Sequence, residues 1–332
     1  MNDSEIKPLP PPPGVVGAIK SGLDVISNHL GVLFLPLTLD LLLWLAPRLS
    51  VKDLFIRSYS QTMDFYVKSG MLTGAQLENM KTAQTTLEDI FQKFNLFSAL
   101  RTFPVGVSSL MQSKMPVATP FGPTSTLPID SWPSLLGWSA LLFALGWILG
   151  GLYFNSVSSL VEKPASNRTS HALLQALLFC VGFSVLAAMI GAPVMIVLAY
   201  LNQIDAFLMQ VGFFAIAMLG SWIVVPVFFA PHGIFLRGQN ALHSLLSSLR
   251  MARFTLPSAS MFVLAIFVVS QGLNLLWSVP NDDSWMLLVG VAGHAFVTTS
   301  LLAASFIYYR DMNAWLEIAL ERFKAGTAAP RA

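Results

Sequence analysis

The chain has 332 residues, of which 55% are hydrophobic and 11% charged, and its mean hydropathy is +0.65. Soluble domains carry about 25% charged residues, so this much apolar side chain exceeds what a soluble core absorbs, and a net charge of +2 excludes a strong nucleic-acid footprint. A single cysteine, Cys180, rules out an intrachain disulfide, a CxxC zinc site or a thiol redox pair.

Residues 1-14 contain Lys7-Pro8-Leu9-Pro10-Pro11-Pro12-Pro13 and are expected to be a disordered cytoplasmic tail of polyproline II character. The first twenty residues hold no apolar h-region, so no cleaved leader is expected. Residues 15-46 read as an amphipathic lead-in and a first span from about Leu30 to Ala46. That span is short unless the stretch from Val15 joins it as one tilted helix, because crossing takes roughly 20 apolar residues. Five more apolar runs follow, at about Ser134 to Asn155, Ala172 to Leu201, Phe207 to Ala230, Ala259 to Val279 and Trp285 to Tyr309. They are continuous rather than alternating, which predicts helices and not barrel strands. Pro36, Pro193 and Pro226 are expected to kink the first, third and fourth spans.

Lys and Arg set the orientation. With the amino terminus inside, the inner segments hold Lys7, Lys20, Lys163, Arg168, Arg237, Arg250, Arg253, Arg310, Arg322, Lys324 and Arg331. The short outer turns, Asn202 to Ala206 and Pro280 to Ser284, carry only acidic charges, at Asp205, Asp282 and Asp283. Both termini are therefore expected in the cytoplasm of a multi-pass cell-membrane protein. The sequon at Asn167 then faces the cytoplasm, where glycosylation is not expected.

Residues 47-133 are predicted to form an extracytoplasmic helical cap. Leu54, Phe55, Tyr59, Met63, Phe65 and Tyr66 recur at helical spacing, and so do Leu77, Met80, Leu87, Ile90, Phe91 and Phe94. After Arg101 the chain turns to Pro and Gly and reads as irregular. The cap is open to two roles, a structural cover or a binding surface. Residues 134-309 form the five-span remainder, including a cytoplasmic interfacial helix at 241-253. There Leu242, Leu245, Leu246 and Leu249 oppose His243, Ser244, Ser247, Arg250 and Arg253. Arg237, Arg250 and Arg253 are the candidate lipid-facing basic residues. In the C-terminal tail, 310-332, Trp315, Leu316, Ile318, Leu320 and Phe323 suggest a second interfacial helix.

Ionisable groups at membrane depth are costly and tend to be functional. Asp40, Gln271, Asn274 and His294 fall in the outer half of their spans and form a candidate polar cluster. Meeting in a cavity they would suit a proton or cation relay; bonding across helices they would fix packing. Gly146 and Gly150 make a G-x-x-x-G step expected to receive another helix. No H-E-x-x-H, G-x-S-x-G or P-loop pattern occurs, His171, His232 and His243 lack companions at metal-ligand spacing, and no cofactor is indicated.

Two stretches carry a resemblance. Arg237-Gly238-Gln239-Asn240-Ala241-Leu242, with Ser247, Ser248 and Arg250, and Tyr308-Tyr309-Arg310-Asp311 are similar to a broad group of bacterial six-helix membrane proteins. That group includes the membrane domain appended to some glycerophosphoryl diester phosphodiesterases. The resemblance covers the last four spans and implies their topology; the catalytic domain is absent, so it implies no activity. The expected fold class is an all-α polytopic membrane bundle of six transmembrane helices with the outer insertion and interfacial helices. The leading functional expectation is a non-catalytic component binding a partner protein or lipid. An ion or solute transporter using Asp40 and His294 is the alternative, and an intramembrane enzyme the third.

Overall fold

The structure, a computed structural model, describes residues 11–71, 74–162 and 169–327. Lys7 and the first part of the proline tail, the Lys163 to Arg168 connection with its sequon, and Arg331 lie outside the described residues. The fold is all-α. Helices α1 (Val15–Ser27), α2 (Phe34–Leu45), α3 (Lys52–Lys68), α4 (Gly74–Lys93) and the short α5 (Met111–Lys114) precede α6 (Trp132–Val161) and α7 (Thr169–Ile204). Then come α8 (Ala206–Arg237), α9 (Ala241–Trp277) and α10 (Leu287–Thr327). Helices α6 to α10 are each long and apolar enough to cross a membrane.

The first span is not one tilted helix. Its two halves, Val15–Ser27 and Leu30–Leu45, bend by 93° at a short break, and together they give a possible sixth crossing. Pro36 lies in the first turn of α2, where its missing N–H has no intrahelical partner to lose. Helices α7 and α8 run through Pro193, Pro226 and Pro231. The marked internal break is in α9, where Thr255 is non-helical at φ −125° and ψ 18°. Pro257, two residues on, removes a backbone donor and crowds the preceding turn. Hydroxyls take over locally: Thr255 donates to Met251 O at 2.8 Å and Ser258 to Thr255 O at 3.0 Å.

The sequence boundary at 241-253 coincides with a structural one: α9 is two helices meeting at the Thr255 kink, and the segment 241-253 belongs to the first of them. Residues after Tyr309 continue α10 without a break to Thr327. No proline interrupts that run, and Met312, Asn313, Leu316 and Ala319 bury a stripe along it at helical spacing. At about 1.5 Å per residue, the 41 residues of α10 extend about 60 Å, twice a hydrocarbon core of about 30 Å.

The chain divides into two compact units. One comprises residues 33–150 and 272–296. In it α3 and α4 form a hairpin whose contacts include stacked Phe55 and Phe91, 4.5 Å apart, and a bond from Tyr59 Oη to Met80 O at 2.9 Å. Two short ladders cross the proline-rich stretch. Strand β1 (Arg48–Ser50) pairs in parallel with β4 (Thr126–Pro128), and β2 (Ala118–Thr119) pairs with β3 (Gly122–Pro123). The second unit comprises residues up to 32, 151–271 and 297 onward. Its core stacks Phe229, Phe262, Tyr308 and Tyr309, with the Phe262 and Tyr308 rings 3.9 Å apart and nearly parallel. Helix α1 enters this core through Gly22, where an added Cβ would sit 2.7 Å from Ala304 N of α10.

Candidate functional site

Asp40 of α2 is fully buried, and its carboxylate accepts three hydrogen bonds from one turn of residues 109–111. Ser109 Oγ donates at 2.5 Å, Leu110 N at 3.2 Å and Met111 N at 3.0 Å. The carboxylate thus serves the free amides at the start of α5, as an N-cap does, although it comes from a helix some seventy residues earlier. The path continues outward: Gln112 N donates to Ser109 Oγ at 3.1 Å, and Arg101 Nη1 donates to Gln112 Oε1. Arg101 also acts through its charge on both Asp40 and His294. Desolvation lowers the Arg101 pKa from its ordinary value, and the Asp40 charge opposes that shift.

A second tie lies in the same unit. Lys114 Nζ approaches Asp282 Oδ1 at 3.1 Å and donates to Ser278 O at 2.9 Å, while Val117 N donates to Asp282 Oδ2 at 3.3 Å. Trp44, buried at the end of α2, donates from Nε1 to Asp282 O at 2.8 Å and meets Trp285 edge-on. Phe121 also meets Trp285 edge-on. Arg48 is buried too, and burial lowers its pKa. It donates to Gln92 O at 2.7 Å near the end of α4, where helix carbonyls favour a cation.

Of the four residues expected to cluster, two meet directly: His294 Nδ1 lies 2.7 Å from Asn274 Oδ1. Asp40 is directed to the 109–111 turn instead, and Gln271 is exposed and belongs to the other compact unit. Ser109 and Arg101 lie on irregular backbone and Gln112 in a helix of four residues, too short to show a period, so the sequence does not mark them. The acidic outer turn at Asp282 was visible, but its partners Trp44 and Lys114 stand 238 and 168 positions away, 282 − 44 and 282 − 114.

The Gly146 and Gly150 face receives backbone, but of a loop rather than of a helix. A Cβ at Gly146 would lie 2.6 Å from Leu100 O, and one at Gly150 would lie 2.5 Å from Gly106 Cα. The missing side chains let the chain at 100–106 lie flat against α6, which a helix with its own side chains would not do as closely.

In the second unit the stretches that carry the resemblance meet around Gly233. A Cβ there would lie 2.9 Å from Tyr309 Oη and would collide with Ser244 Oγ and Gln239 Oε1. Ser244 donates to Ala230 O, Ser247 to Gln239 Oε1 at 3.0 Å, and Gln239 N to Gly233 O at 3.2 Å behind Gly238 at φ +62°. These bonds close the carbonyl end of α8. Ser244 and Ser248 are therefore buried against protein rather than sharing an exposed face with the arginines. His232 sits among Phe228, Phe229, Phe306 and Tyr309, with Nε2 2.7 Å from Ser305 Oγ.

The three basic residues also divide. Arg237 lies 3.3 Å from Glu317, an exposed pair of small energetic weight. Arg250 and Arg253 are exposed and, among the described residues, meet no carboxylate. No cluster of His, Cys, Asp and Glu suited to a metal occurs among the described residues.

The fold and these ties define an all-α protein with several helices built to cross a membrane. No family model, curated protein or solved structure matches the chain.

Proposed function

We propose that the chain is a six-span integral membrane protein with both termini in the cytoplasm and residues 47–133 folded as an extracytoplasmic cap. In this reading it acts as a non-catalytic component that binds a partner protein or lipid. The observation that carries it is the surface of the α3–α4 hairpin. Helix α4 buries no residue, and Phe65, Tyr66, Val67 and Met71 stand exposed at the hairpin end. Apolar side chains grouped this way on an aqueous face mark an interaction surface. The Asp40 carboxylate supports the same reading, since three donors already engage it. The resemblance to the bacterial six-helix group rests on two stretches whose residues come together around Gly233.

A transporter is the second reading, favoured by the charge of Arg101, which acts on both Asp40 and His294. Proton and solute flux in proteoliposomes separates the two. The binding reading expects background flux, whereas flux that Asp40→Asn removes would replace it with transport. Cysteines introduced between residues 52 and 93 should react with an impermeant reagent added to intact cells. Protection there would reverse the orientation.

A further inference from the structure

We propose that α8 and α9 hold one anionic phospholipid, an acyl chain lying in the groove between them and the phosphate held by Arg250 and Arg253. This deepens the lipid half of the proposed function and rests on the membrane-spanning reading, but not on the outer hairpin. The groove has a volume of about 400 Å³, within the range of about 300–1,000 Å³ typical of small-molecule sites. Trp222, Val224 and Val225 of α8 form one wall, and Leu256, Val263 and Phe267 of α9 the other.

The lining decides what can enter. Trp222 is 222 − 205 = 17 residues from Asp205, about 26 Å along the axis at about 1.5 Å per residue, and Ser260 is the one hydroxyl among the lining residues. A slot so apolar takes hydrocarbon, and in a bilayer that is an acyl chain.

Charge decides which lipid. Arg237 has Glu317 and Arg310 has Asp311, whereas neither Arg250 nor Arg253 meets a carboxylate among the described residues. Of Arg237, Arg250, Arg253 and Arg310, the two without a carboxylate are the two nearest the groove along the chain. Arg253 precedes the lining residue Leu256 by three positions, across the break at Thr255, so by chain length its Cα lies within about 11 Å of the groove's wall. Burial of Ser244 and Ser248 settles which side of this segment docks on protein, and leaves Leu246, Leu249, Arg250 and Arg253 exposed. Phosphate at the arginines and chain in the groove then follow the order of headgroup and tail across a leaflet.

The test uses the full chain in nanodiscs. A phosphatidylglycerol carrying a photoactivatable group in mid-chain should label residues 222–225 and 256–267 of the wild-type protein above the exposed face of α7. Competition should show about a thirty-fold preference for phosphatidylglycerol over phosphatidylcholine, the sum expected from two basic residues near the surface. Arg250→Gln with Arg253→Gln should bring the preference close to one. Val263→Trp should remove the labelling, and Ile196→Trp on α7 should leave it. Labelling spread evenly over α7 and α8 overturns the site, and so does a preference unchanged in the double variant. Loss of preference with labelling still diffuse means adsorption at the interface, which overturns it as well. Flux measurements judge the binding reading separately: flux that Asp40→Asn removes defeats that reading whichever lipid binds.

Discussion

The two compact units hold themselves together by different chemistry. In residues 33–150 and 272–296, charged and polar side chains reach across to backbone: Asp40 to the 109–111 turn, Lys114 to Ser278 O, Arg48 to Gln92 O. In the other unit, aromatic rings stack, and even His232 is enclosed by them. The difference follows from what is being packed. Irregular chain such as 100–117 leaves amides and carbonyls that must be satisfied from elsewhere, whereas regular helices satisfy their own backbone and need only shape. Buried polar residues are therefore not of one kind in this molecule. Asp40 substitutes for missing secondary structure; His232 fills a place among rings.

Substitutions should separate the two modes. Asp40→Ala has the largest expected effect, because it leaves the Ser109 hydroxyl and the Leu110 and Met111 amides without their acceptor. At about 1–3 kcal/mol for each unsatisfied donor, the loss should reach several kcal/mol by thermal unfolding in detergent, with Asp40→Asn falling between it and the wild type. Phe262→Ala should cost about 3 kcal/mol, at the lower end of the range for such truncations, since it removes the stack on Tyr308. Lys114→Met should cost about 1.5 kcal/mol, the loss of charge-assisted bonds to Asp282 and Ser278. His232→Phe should be smallest, under about 1 kcal/mol, because Ser305 Oγ still donates to Leu302 O at 2.7 Å. A His232→Phe loss as large as that of Asp40→Ala would erase the contrast between the units.

The helical class and the apolar runs were legible in the sequence because a membrane demands long uninterrupted hydrophobicity, and that signal is local. Helix limits were less so. The run after Tyr309 looked like a separate interfacial helix because charge returns there, but nothing in it breaks the backbone, and α10 continues. The break in α9 carried its own mark in Pro257, and it falls two residues earlier, at Thr255. Asp40 stands out in the sequence as a carboxylate in an apolar run, but the donors that reach it were not foreseeable: a carboxylate can bond any free amide within reach, and irregular backbone gives no period that would place 109–111 beside α2. Gly146 and Gly150 showed that something approaches closely, without showing whether it is helix or loop.

Hydrogen–deuterium exchange at Leu110 and Met111 tests the central claim, that Asp40 ties the 109–111 turn to α2 rather than relaying a proton. Slow exchange of both amides in the wild type, accelerated in Asp40→Asn and further in Asp40→Ala while α10 keeps its protection, is the predicted result. Equal protection of these amides in all three proteins would contradict it.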